Sequence, residues 1–251
     1  MNIYCIHENT EKYCSRKKSI ENQLSKIYDH HTLEWVTSYP SNFFNLSNKD
    51  LKNKLHTSKN PAVKSCFWKH YDALKRIEKS GMEGLIIEDD SIFRRSLLSK
   101  VKNLVKKSNT NNFYINIEYS SYDIPIYFSH KTLVKMNGTK RTGGCIVSPI
   151  AAGKICKFIE NLLERKEKIN YESDSFITKY WSSIGINVYW SVHPIIWQGS
   201  KTGRFSSELS GRKKNRHSLL YEQLSFYLMP TINKTRAIFR RKIKDRILEL
   251  I

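Results

Sequence analysis

The chain has 251 residues, 39% hydrophobic and 12% aromatic, and its 43 Lys+Arg against 23 Asp+Glu give a formal charge of +20. Such a length buries a sizeable core in one α/β unit with at most a small appendage, and such an aromatic content excludes a disordered chain. Five scattered cysteines without a C-x-x-C pair argue against a disulfide framework or a zinc ribbon, and no apolar run approaches the ~18 residues that span a bilayer. The expectation is a cytoplasmic chain, soluble or held peripherally at a membrane surface. The positive excess either attracts a polyanion, nucleic acid or anionic lipid, or reflects a compositional bias toward Lys. It is concentrated at one end, where residues 201–251 hold 13 basic residues against 4 acidic ones.

Residues 2–6 read as a first strand. A helix near 15–28 follows, with Ile20, Leu24 and Ile27 on one face, and then a strand at Leu33–Val36. From Ala62 to Ser80, apolar residues recur at three and four positions (Val63, Cys66, Phe67, Tyr71, Leu74, Ile77), predicting an amphipathic helix that Gly81 stops. Gly84–Ile87 is a short apolar strand that ends abruptly in Glu88, Asp89 and Asp90. The pattern continues with a helix over 95–107, a strand at 113–117, and irregular or hairpin chain to about 140. A buried strand at 145–148 then leads through Pro149 into a helix over 150–165. A helix over 173–184 stops at Gly185, and 186–190 is a further strand. Strands alternating with helices predict an α/β fold with a mainly parallel sheet.

The acidic triplet carries the chemistry. Residues at the carboxyl end of a strand in an open α/β sheet face the crevice where ligands bind. Crowded carboxylates repel one another until a divalent cation relieves them, and oxygen-only ligands select Mg²⁺ or Mn²⁺. In an extended chain Glu88 and Asp90 point to one side and Asp89 to the other. Helix capping by Asp90 or Ser91 is the competing account.

Four blocks resemble, in order, glycosyltransferase family 25, the enzymes of lipopolysaccharide and lipooligosaccharide synthesis. They are Arg16 to Ile20; Cys66 to His70 followed by Leu85 to Asp90; Gly144 to Pro149 with Ala151 and Ala152; and Asp174 followed by Pro194 to Gln198. The resemblance spans about residues 2–210. Lys69 stands where the family usually has Ser, and the family's Thr-Pro-Gly-Glu stretch before the cysteine is absent. The resemblance implies a GT-A fold, a nucleotide-sugar donor, often UDP-galactose, a divalent cation, a glycan or lipid-linked acceptor, and inversion at the anomeric carbon.

Within that frame Glu88 and Asp90 are the candidate metal ligands, with His193 as a third. Arg16, His70, Asp89 and Gly144 are candidate donor contacts beside them, and Asp174 is the candidate base with Glu172 its competitor. Each has a plainer reading: an exposed helix arginine, packed histidines, a helix cap at Asp174, and a glycine pair without a phosphate-loop pattern. The expected organisation is a catalytic domain over 1–210 and a basic extension over 211–251. In the extension Phe239, Ile243, Ile247 and Leu250 form a helical stripe suited to an anionic membrane surface, to the core or to a second subunit. A nucleic-acid-binding protein or a non-catalytic membrane-surface protein is the alternative. Neither accounts for the triplet and the block order, so no nucleic-acid partner is expected.

Overall fold

Apolar strands that alternate between two buried faces organise the chain. The computed structural model describes residues 1–46, 56–119, 124, 130–139, 141–206 and 247–250. In chain order these form β1 (Asn2–Ile6), α1 (Cys14–Leu24), β2 (Thr32–Val36), α2 (Phe43–Leu46), α3 (Pro61–Ser80), β3 (Gly84–Glu88), β4 (Ser91–Phe93), α4 (Leu97–Lys107) and β5 (Phe113–Asn116). There follow β6 (Leu133–Met136), β7 (Gly144–Val147), α5 (Pro149–Glu164), α6 (Ser173–Ile184), β8 (Asn187–Ser191), β9 (Ile196–Gln198), α7 (Gly199–Thr202) and β10 (Ile247–Leu250).

The main sheet has the order β10-β6-β8-β5-β7-β3-β1-β2. Its pairings make β1, β2, β3, β5, β8 and β10 point one way, with β6 and β7 reversed, so the sheet is mainly parallel in direction. Alternate residues of each strand serve opposite faces. Tyr4 and Ile6 of β1 and Ile86 of β3 pack with α3, α5 and α6, whereas Ile3, Cys5, Leu85 and Ile87 pack with α1 and α4.

Helix boundaries follow local chemistry. The Asn60 side chain accepts from Ala62 N at 2.9 Å and Pro61 occupies the first turn of α3, which ends at Gly81 in the left-handed region at φ 66°. Ser148 and Pro149 open α5 the same way, the serine accepting from Ala151 N at 3.2 Å.

At Gly84 the α3 residue Ile77 packs directly on the strand backbone. A β-carbon there would press on Ile77 Cγ1 and lie 2.9 Å from Tyr4 Cε2, both on buried side chains. Gly84→Ala is expected to overpack this core and cost about 1–3 kcal/mol. Thermal unfolding of the variant checks this: a drop of several degrees is expected, and an unchanged midpoint would show that Ile77 gives way freely.

One expectation is corrected here. Ile247–Leu250 is a strand antiparallel to β6, with Ile247 opposite Met136 and Leu250 opposite Val134, and does not continue the helical stripe. Short apolar runs fit either period, and the unpaired backbone on the free side of β6 offers hydrogen bonds that a helix would leave unused. The rest of the predicted extension, 211–246 and Ile251, lies outside the described residues. The segment expected to be irregular or hairpin chain contains β6, whose bounds the sequence pattern did not give. Among the described residues no helix is long and apolar enough to cross a membrane.

Candidate active site

β1 and β3 are parallel neighbours with Ile6 opposite Glu88, so both chains leave the sheet at the same edge. The path from β1 to β2 runs through α1 on one face, and the path from β2 to β3 through α3 on the other. The winding therefore reverses beside β1, and in open α/β sheets such a reversal opens a crevice at the strands' carboxyl ends. The crevice is present as a cleft of about 380 Å³, lined by His7, Arg16, Lys69, the three acids of the triplet, Asp174 and Lys201 among others.

Within the triplet only Glu88 belongs to the strand, and Asp89 and Asp90 form a turn. The alternation expected of an extended chain therefore stops at Glu88, and Asp89 faces the cleft with its neighbours instead of turning away. Arg16 Nη1 donates to Asp89 Oδ1 at 2.8 Å, and His7 Nδ1 lies 2.8 Å from Asp89 Oδ2. The Arg16 guanidinium also covers the Tyr13 ring at 4.7 Å. Arg16 is thus a half-buried partner of the triplet and not an exposed helix residue.

The capping account of the triplet does not hold in its original form, because β4 follows directly and α4 starts only at Leu97. β4 pairs with β9, which lays Gln198, Ser200 and Lys201 across the acids. Gln198 Nε2 donates to Glu88 Oε2 at 3.1 Å, and Ser200 N, in α7, donates to Asp90 Oδ2 at 3.1 Å. Asp90 Oδ1 remains buried without a hydrogen-bond partner. Burial first and the charge of Glu88 second raise the Asp90 carboxyl above the ordinary carboxylate range. A buried unpaired carboxylate oxygen beside two more acids fits a hard divalent cation, which Asp90 and Glu88 would hold.

Two further ion pairs frame the cleft, and sequence reasoning missed both. Lys69, almost fully buried on α3, pairs with Glu8, which also accepts from Ser41 N at 3.0 Å. Glu118, just beyond β5, is fully buried; its Oε2 accepts from Gly143 N at 2.8 Å and its Oε1 meets Lys201 Nζ at 2.7 Å. The reasoning that selected Glu88 at the end of β3 applies equally to Glu118 at the end of β5, and that position was the available signal.

Burial pushes the Glu118 carboxyl from 4.5 to about 7 despite Lys201. Because the folded chain holds this proton up to about pH 7 and the unfolded chain only to about 4.5, the stability it contributes is complete below 4.5 and lost as pH rises to about 7. Glu118→Gln, which keeps the group neutral, is expected to match the wild type in thermal midpoint near pH 5 and to exceed it near pH 8. A variant less stable near pH 8 would mean that the Lys201 pair outweighs burial.

The other sequence candidates divide. Asp174 and Glu172 line the same cleft as the triplet, at the start of α6. Glu172 occupies the N-cap position without a side-chain cap, and Asp174 Oδ1 accepts from Ser175 N at 2.6 Å. His70 lies beneath the cleft, with Nε2 3.6 Å from Glu88 Oε1. Gly144 is within β7, where a β-carbon would press on Ile196, and it does not line the cleft, whereas Arg141 and Thr142 just before it do. His193 is exposed beyond β8 and is likewise not among the lining residues.

No family model and no curated protein matches the chain. Solved structures do. The glycosyltransferase GlyE of Streptococcus pneumoniae TIGR4, in its apo form, is 10% identical, with 99% of this chain and 64% of GlyE covered at a TM-score of 0.50. The fold is that of a GT-A glycosyltransferase. The galactosyltransferase LgtC, solved with donor and acceptor sugar analogues, is 12% identical over 90% of this chain and 95% of its own, at a TM-score of 0.47. TarS of S. aureus in complex with UDP-GlcNAc is 11% identical over 97% and 82%, at 0.40. At these identities the likeness is one of fold, and the resemblance to family 25 is one of motif order.

Proposed function

We propose that this chain transfers a sugar from a nucleotide-sugar donor, UDP-galactose by the resemblance, to a glycan acceptor such as a growing lipooligosaccharide, lipopolysaccharide or capsular chain. The observation that carries the reading is the acidic triplet at the mouth of β3, with Asp90 Oδ1 buried and unpaired, in a cleft that also holds Arg16, Arg141 and Lys201. Carboxylates at the strand end hold the divalent cation, and the surrounding cations neutralise a diphosphate. When bound, Mg²⁺ or Mn²⁺ supplies positive charge for the departing diphosphate.

The chain's own groups do the rest. Arg16, tied to Asp89, is a fixed cation for donor phosphate oxygens. Asp174, in the same cleft, accepts the proton of the attacking acceptor hydroxyl, with inversion at the anomeric carbon as the resemblance implies. The basic residues of 211–246 would hold the enzyme to an anionic surface carrying a lipid-linked acceptor.

A thermal-shift panel of nucleotides and nucleotide sugars, with and without Mn²⁺, tests the reading, because a ligand of the native state raises its stability by mass action. Cation-dependent stabilisation by a UDP-sugar is expected. Stabilisation by single-stranded DNA with no response to any nucleotide sugar would contradict it.

A further inference from the structure

Beneath the triplet lies a second group of potential ligands with different chemistry. Cys66 and His70 are one helical turn apart on α3 and so share a face, and that face meets Glu88 at the end of β3. One donor atom from each, a thiol sulfur, an imidazole nitrogen and a carboxylate oxygen, all lie within 4.8 Å of one another. His70 Nε2 is buried with no hydrogen-bond partner, and at 3.6 Å it is too far from Glu88 Oε1 to form one. A buried ring nitrogen left this way costs free energy, and a cation placed between it and Glu88 removes that cost.

We propose that Cys66, His70 and Glu88 form a second cation site that takes a borderline-soft divalent cation such as Zn²⁺. Sulfur and imidazole donors select Zn²⁺ over Mg²⁺ and Mn²⁺, whereas the all-oxygen face at Asp90 has the opposite preference. Zinc bonds of about 2.0–2.3 Å bring three ligands slightly closer than they now lie, within reach of side-chain rotation. Cys66 faces the cleft, which leaves a fourth position for water. On binding, the Cys66 thiol loses its proton to solvent and binds as thiolate, so uptake releases one proton.

Both oxygens of the Glu88 carboxylate have neighbours: Oε1 lies 3.6 Å from His70 Nε2, and Oε2 accepts from Gln198. A cation on the α3 side would draw on the same carboxylate that a cation beside Asp90 would use. The site itself does not depend on the glycosyl-transfer reading; only its effect on transfer does.

The test uses the full chain and Co²⁺ as a spectroscopic stand-in for Zn²⁺. One equivalent is expected to give a near-ultraviolet thiolate-to-cobalt band that Zn²⁺ displaces. The band should vanish in Cys66→Ser and Cys66→Ala, and it should persist in Asp90→Asn. His70→Gln should weaken Co²⁺ binding at least about tenfold, with circular dichroism confirming that each variant is folded. The proposal is overturned if the folded wild type gives no band, if either Cys66 variant keeps it, or if Asp90→Asn loses it.

Discussion

Asp90→Asn is expected to leave the chain folded and to lower sugar transfer by about 10²–10³-fold or more, because it removes a carboxylate that would hold the divalent cation facing the developing diphosphate charge. The substitution keeps an oxygen for Ser200 N, so the contact between the triplet and α7 survives. Asp89→Asn should do less, since it weakens the Arg16 and His7 contacts without touching the unpaired oxygen of Asp90. Turnover and circular dichroism measured together separate the outcomes. Full activity in Asp90→Asn would remove this residue from the site, and global loss of structure would make it a structural tie for α7.

The second large effect is expected at Asp174. Asp174→Asn should lower kcat by about 10²–10⁴-fold with little change in donor affinity, because a base acts in the transition state and not on donor binding. The residue lines the same cleft as the triplet, where a base for the acceptor hydroxyl is needed. Its carboxylate already accepts from Ser175 N, which fixes its orientation. A base acting in this way on the inverting reading predicts that an α-linked donor gives a β-linked product, readable by the anomeric proton in nuclear magnetic resonance. Loss of donor affinity in place of kcat, or an α-linked product, would assign Asp174 another role. In that event Glu172, raised above the ordinary range by burial and then by Asp174, is the next residue to replace.

The parts of the fold that were legible in the sequence are those whose periodicity is decided locally. The α3 stripe from Val63 to Ile77, the Pro149 entry to α5 and the Gly185 stop of α6 coincide with elements in the structure. β4 and β9 were not legible, because three-residue strands carry no period; they exist through their mutual pairing, with Ile92 opposite Trp197. β10 was misread for a related reason, since its partner β6 lies more than a hundred residues earlier.

The candidate site divided along the same line. The triplet and Asp174 stand where a strand end and a helix start place them, and a single sequence shows both positions. The ties that orient them are long-range: His7 and Arg16 to Asp89, Gln198 to Glu88, Ser200 to Asp90 and Lys201 to Glu118. No spacing encodes these contacts. The choice of His193 followed the logic of a strand end, but the chain after β8 turns that residue outward.

The most direct measurement is release of UDP from a panel of UDP-sugars by the purified chain, with and without Mn²⁺ or Mg²⁺, in parallel with Asp90→Asn. The account predicts release from at least one UDP-sugar that requires the divalent cation, is accelerated by a glycan acceptor and is lost in Asp90→Asn. Release at the same rate in Asp90→Asn, or none from any UDP-sugar by a folded wild-type chain supplied with cation and acceptor, would contradict it.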